Sequence, residues 1–201
     1  MLKNTNKPTA NFIEFVIAED LLELDDLDVQ NEFKIFFKDK ITNIKKIRLS
    51  KFDKAEIADN FRILQGNEVK ENVIPWINQN NPYISPEINS RIEMASKITA
   101  DEVKTANSFR TNLINEIETS LPEGLIALFP TAPFSAPVCG QDNESLGSYR
   151  KRLMELTSIA GMTSRPQISI PYLKIENKPV GISLLGWKYS DEILLNKITD
   201  I

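Results

Sequence analysis

The strongest constraint on what this chain can fold into is a set of short apolar runs that only a covered sheet can bury. Phe12–Ala18 (FIEFVIA) and Leu125–Phe129 (LIALF) are too short for stable helices and do not alternate with polar residues. Each therefore predicts a strand covered on both faces. A strand of that kind near the start of the chain needs neighbours on both sides. Ile41–Leu49 (ITNIKKIRL) reads as a third strand, with Ile41, Ile47 and Leu49 inward and Ile44 breaking strict alternation. Gln167–Ile170 and Val180–Leu185 read as two more, joined through Glu176-Asn177-Lys178 as a hairpin turn. Strands at 12–18, 41–49, 125–129, 167–173 and 180–186 are expected to share one sheet.

Helical patterns fill the gaps. Val29–Phe37 places Val29, Phe33, Phe36 and Phe37 at helical spacing after an acidic start, which the helix dipole favours. Lys54–Leu64 predicts a helix ended near Gly66, and Val69–Asn80 a second one carrying Trp76, closed by the turn Asn80-Asn81-Pro82. Ser85-Pro86-Glu87 offers an N-cap serine with proline at the first helical position. Thr99-Ala-Asp-Glu102 is a capping box opening a long helix to Leu121, with Val103, Ala106, Phe109, Leu113 and Ile117 on one stripe. Pro122 and Gly124 stop it. Glu144–Gly161 predicts a helix that packs Leu153, Leu156, Ile159 and Ala160 inward, and Ser190-Asp191-Glu192 caps a closing one. The expected class is α/β, a mixed β-sheet flanked by helices on both faces. Residues 1–11 read as a disordered or extended tail and 12–201 as one lobe.

Composition narrows the function. With 41% apolar and 26% charged residues over 201 positions, the chain can build a core. A net charge of −4 gives no basic footprint for nucleic acid, and Lys45, Lys46 and Arg48 read as strand-edge or surface charges. Histidine is absent, so Ser-His-Asp triads, Cys-His dyads and histidine metal sites cannot be built within this chain. The single cysteine, Cys139, allows no internal disulfide, and no run approaches a membrane span. Met1–Ala10 is polar and is not followed by the apolar stretch of a secretory signal. A soluble cytoplasmic protein is expected, without metal, cofactor, nucleic-acid or membrane partner.

Three local patterns touch on chemistry. Ser148-Tyr149-Arg150-Lys151 matches Ser-x-x-Lys, but the companion motifs of that chemistry are missing and the segment reads as a charged helix. Glu19, Asp20, Glu23, Asp25, Asp26 and Asp28 form an acidic run without calcium-loop spacing, and read as a solvated helix start. Cys139 has no histidine to act as its base and reads as a plain small residue.

An ordered set of segments adds more. Leu125–Pro133 (LIALFPTAP), Tyr149–Leu156 (YRKRLMEL), Thr157–Pro171 (TSIAGMTSRPQISIP) and Lys178–Gly186 (KPVGISLLG), closed by Ser190-Asp191-Glu192, resemble the C-terminal segment of amidase signature enzymes. Upstream, Phe15–Leu24 (FVIAEDLLEL) and Trp76–Ile88 (WINQNNPYISPEI) resemble the subgroup of the plant indole-acetamide amidase. The resemblance runs from about residue 12 to 198. It implies that Phe129, Thr131, Pro133, Met162 and Gln167 help wall an acyl pocket. It also implies that the catalytic lysine, the bridging serine and the nucleophilic serine belong to an N-terminal half. The seven glycines here are never adjacent and no Gly-Gly-Ser-Ser stretch occurs, so no position receives a catalytic role. Two functions follow. One is the C-terminal half of a hydrolase of small carboxylic amides, inactive alone and completed by a separate N-terminal half. The other is a non-catalytic amidase-like binding or scaffold domain, or a remnant. A bare sheet face or edge, and self-association through it, is expected in either case.

Overall fold

The computed structural model describes residues 12–38 and 44–198. The expected tail at 1–11 and the inward Ile41 lie outside the described residues. Five strands form one mixed sheet: β1 (Glu14–Ala18), β2 (Lys45–Ile47), β3 (Leu125–Pro130), β4 (Gln167–Ile175) and β5 (Lys178–Leu185), in the order β2-β1-β3-β5-β4. β1 lies between two parallel neighbours, Val16 opposite Lys45 on β2 and Ala127 on β3, as its apolar run Phe15–Ala18 requires. β5 then returns antiparallel to β3, pairing Phe129 with Ser183. The β4–β5 hairpin turns on Glu176 (φ 49°) and Asn177 (φ 64°), both left-handed as a two-residue turn of type I′ demands.

Both faces of the sheet are covered. On one, Val16, Ala18, Ala127, Phe129 and Leu185 pack with Ile57, Leu113, Ile117, Leu156, Ile159 and Met162. Those side chains come from α3 (Lys54–Asn72), α6 (Ala100–Ser120) and α7 (Asn143–Thr163). On the other, Ile17, Ile126, Leu128, Ile182 and Leu184 meet Val29, Phe33 and Phe37 of α2 (Leu27–Lys38) and Leu194 of α8 (Asp191–Lys197). A single turn, α1 (Glu19–Leu22), follows β1, and α4 (Ile74–Asn80) and α5 (Pro86–Ser96) complete the helices.

Several local expectations are corrected. The helix from Lys54 does not end near Gly66 but runs to Asn72. Gly66 is a packing glycine: a Cβ there would collide with Ile98 Cδ1 and lie 3.8 Å from Ala95, so its bareness lets α5 approach α3. The next helix begins only at Ile74, where Pro75 sits in its first turn. Of the strand expected over 41–49, the described residues form Lys45–Ile47; Leu49 is buried, but it follows the strand's end. Ser85 and Ser190 make no side-chain cap bond, and Ser190 Oγ instead donates to the Trp187 carbonyl at 2.7 Å. The Thr99 capping box forms as expected: the Glu102 amide donates to Thr99 Oγ1 at 3.3 Å and the Thr99 amide to Glu102 Oε2 at 2.8 Å. Among the described residues both sheet faces carry packed helices, while the edge strand β4 leaves Ser169, Pro171 and Tyr172 exposed. Exposed apolar side chains include Val73, Trp76, Tyr83, Ile88 and Met94 along 73–94, and Leu27, Ile35, Val138 and Leu195 elsewhere.

Candidate functional site

Open α/β sheets present ligands at the carboxyl ends of their parallel strands. Here β1 and β3 end side by side, and β3 runs out into the loop Thr131–Cys139. That loop is tied down near its start. The Thr131 amide donates to the Gly181 carbonyl at 2.7 Å, and the Asp26 amide donates to the Pro133 carbonyl at 2.8 Å. Phe134 meets Tyr149 edge-on, ring centroids 4.6 Å apart, and the Arg152 guanidinium lies 5.3 Å over the Phe134 ring. Arg152 Nη2 also donates to Asp26 Oδ1 at 2.7 Å and to the Leu24 carbonyl at 3.2 Å. The proline-stiffened loop, the turn after α1 and the helix α7 thus meet at one point.

The pocket-wall candidates fall into two groups around this edge. Phe129 and Met162 are enclosed in the same core cluster, 0% and 1% exposed. Thr131 and Gln167 are half-buried and share a partner: Thr131 Oγ1 lies 2.8 Å from Ser183 Oγ, and Gln167 Nε2 donates to Ser183 Oγ at 2.7 Å. Ser183 stands opposite Phe129 in the sheet, so the two groups adjoin. Thr131 Oγ1 also lies 2.7 Å from Ser169 Oγ. A Cβ on Gly181 would collide with Ser169 Oγ and stand 2.7 Å from Thr131 Oγ1, so only glycine leaves room for this row of hydroxyls. Pro133 is buried and contributes its carbonyl.

The acidic run is a solvated helix start only in part: Glu23, Asp26 and Asp28 are exposed, but Asp20 and Asp25 are buried. Asp20 is buried, accepts from the Leu49 and Ser50 amides at 2.9 and 3.1 Å, and pairs with buried Lys54 at 2.8 Å. Glu19 pairs with Lys46, Glu23 with Arg48, and Asp26 with Arg152. Asp25 is 6% exposed, and neither carboxyl oxygen has a hydrogen-bond partner. Burial pushes its carboxyl up to about 9, against the pull of Arg152 and with a small push from Asp26. Among the described residues no cluster of His, Cys, Asp or Glu could hold a metal ion. Ser148 and Lys151 are both exposed on α7, and Cys139 is exposed and free.

Sequence reasoning missed Asp20, Asp25, Ser169 and Ser183 as members of built sites. One signal existed. In β5, Val180, Ile182 and Leu184 mark one buried face, which leaves Gly181 and Ser183 on the other face beside Leu185. A small and a polar residue at positions facing a core ask for a partner.

No protein-family profile matches the chain. Single relatives do. It is 33% identical to Amidase 1 of Arabidopsis thaliana over 145 residues, which are 72% of this chain and 34% of that protein. It is 26% identical to the chloroplastic outer envelope protein 64 of Arabidopsis thaliana over 186 residues, 92% of this chain and 32% of that one. The chain spans about a third of the length of these curated relatives. Among solved structures, an amidase superposes with a TM-score of 0.76 at 18% identity, over 95% of this chain and 45% of that one. A bacterial aryl acylamidase of the amidase signature enzymes superposes at 0.59 with 12% identity, over 89% and 39%.

Proposed function

Because this chain is related to the amidase signature family, we propose that it is the C-terminal lobe of a hydrolase of small carboxylic amides, supplying pocket wall but not the nucleophile. The observation that carries the reading is convergence. The segments that resemble the family become β3, α7, β4 and β5; β3, β4 and β5 meet around Thr131, Ser183 and Gln167, and α7 meets the loop after β3 through Tyr149 and Phe134. Catalysis in such an enzyme needs a serine activated through a lysine, and oxyanion donors already aimed at the developing charge. No stretch of this sequence matches the glycine–serine signature that supplies them. The lobe is therefore inactive alone and acts with a separate N-terminal half. A cytosolic location fits its single free cysteine, and no helix among the described residues is long and apolar enough to cross a membrane.

A second reading, a non-catalytic amidase-like binding domain, is supported by the outer envelope protein relative, which aligns with more of this chain than Amidase 1 does. The test assays the purified chain against small aliphatic and aryl amides, with a serine-reactive fluorophosphonate probe alongside, before and after adding the N-terminal portion of an amidase relative. Turnover only in the mixture supports the hydrolase lobe. Turnover or labelling by the chain alone overturns its inactivity, and silence in every combination favours the binding domain.

A further inference from the structure

Asp25 lies in the turn between α1 and α2, and bonds on both sides of it fix that turn. Its amide donates to the Leu22 carbonyl at 3.3 Å, and its carbonyl accepts from Gln30 Nε2 at 3.0 Å. The next amide, of Asp26, donates to the Pro133 carbonyl at 2.8 Å. Arg152 of α7 grips the residues on either side, the Leu24 carbonyl and the Asp26 carboxylate, while its guanidinium covers Phe134. These bonds join the turn to the loop after β3. Among them the Asp25 carboxyl is closed to water, and both of its oxygens lack a partner. A neutral carboxyl tolerates such a place at modest cost, but a carboxylate does not. It needs water or a cation. Water reaches it by parting the turn from the loop. The cation at hand is Arg152, which must first leave Leu24, Asp26 and Phe134.

We propose that Asp25 makes this junction a proton-operated latch, which holds the loop Thr131–Cys139 while Asp25 is protonated and frees it when the proton leaves. Two charges act on the carboxyl: Arg152, which favours ionisation, and Asp26, which opposes it. Glu23 is engaged by Arg48, Asp28 is exposed, and the loop Thr131–Cys139 carries no charged residue. Burial outweighs Arg152 and raises the carboxyl from 3.8 to about 9 in the closed latch. Once the latch opens and water reaches the group, it returns toward the ordinary 3.8. Opening therefore releases a proton. It becomes easier as pH rises from 3.8 toward 9, and no easier beyond. The latch belongs to this chain alone and stands apart from the hydrolase reading, although the loop it holds carries Thr131 and Pro133.

The test is amide hydrogen exchange in the full chain, followed by NMR from about pH 5 to about pH 8 and read as protection relative to an unstructured peptide. The Asp26 amide reports the latch, and the Ala127 amide, in the central strand β3, reports global unfolding. Asp26 protection is expected to fall roughly tenfold per pH unit and to stay well below that of Ala127 throughout. In Asp25→Asn it is expected to be high and independent of pH. In Arg152→Gln it is expected to be low at every pH while Ala127 remains protected. The latch is overturned by a pH dependence at Asp26 that survives in Asp25→Asn, by none in the wild type, or by full protection in Arg152→Gln. Equal protection of Asp26 and Ala127 overturns it too, because the opening is then global. Should Arg152→Gln unfold, the comparison of wild type with Asp25→Asn decides alone.

Discussion

Asp25 shows how far one side chain can depart from its sequence context. It sits in a run of acids that reads as solvent-facing, yet it is 6% exposed and its carboxyl is unpartnered. A folded value near 9, against the ordinary 3.8, means that folding favours the protonated form. Below 3.8 both states are protonated and the group costs nothing. As pH rises from there toward 9, the folded state must hold a proton that the unfolded state has released, so stability falls, and above 9 the cost levels off. Asp25→Asn removes the ionisable group. We expect it to raise stability by on the order of 2 kcal/mol at neutral pH, and by little near pH 4. Denaturant unfolding of both proteins across that range checks the sign. An equal change at every pH would show that the carboxyl does not titrate abnormally. Neither burial nor pairing could be read from the run itself, because Lys54 and Arg152, which select Asp20 and Asp26, lie far from them in sequence.

The two ends of α6 contrast a local device with a tertiary one. Its start was legible, because Thr99 and Glu102 are three residues apart and bond to each other within one turn. Its end was not. Arg165 reaches back from the α7–β4 connection and donates to the Leu121 carbonyl at 3.0 Å and the Ile117 carbonyl at 3.4 Å, while also holding the Gly186 carbonyl at 3.1 Å. Arg165→Met keeps length and apolar contact but leaves three carbonyls without this donor. We expect a loss of about 3 kcal/mol in denaturant unfolding. Thr99→Ala should cost only about 1 kcal/mol, since water can replace an exposed cap. If the two cost the same, Arg165 is no more than a surface cap. Gly66 teaches a similar lesson: a glycine near a helix end and a glycine at a helix crossing look identical until the second helix is in place.

At the scale of the molecule, the exposed large apolar side chains fall mainly on helices and loops and not on the sheet. The sheet is covered on both sides. Its long outer strand β4 is blunted by Pro171 and by a register irregularity between Ile170 and Leu173, both of which discourage further strand pairing. Along 73–94, Trp76 is 55% and Tyr83 93% exposed and α4 buries nothing. We expect concentration-dependent association in light scattering, with binding of a hydrophobic dye, both reduced by Trp76→Gln. A monodisperse monomer without dye binding would remove this segment as an association surface.

The sequence by itself determined the strand set, the class, most helix starts and the relatedness to amide hydrolases. Each of these is written in residues close together: apolar runs, capping pairs, turn dipeptides and motifs in order. Ile41–Leu49 was the least sharp strand because its alternation is broken, and among the described residues it is a strand over Lys45–Ile47. The polar interior was decided by the tertiary structure alone. Ser183 is buried and bonded because β5 lies beside β3 and β4, and Ser169 is bonded because Thr131 arrives from the end of β3. Pairing of that kind depends on which distant backbones become neighbours, and local propensity carries no record of it. Apolar periodicity states which face of an element turns inward, whereas a polar side chain takes its role from the partner that reaches it.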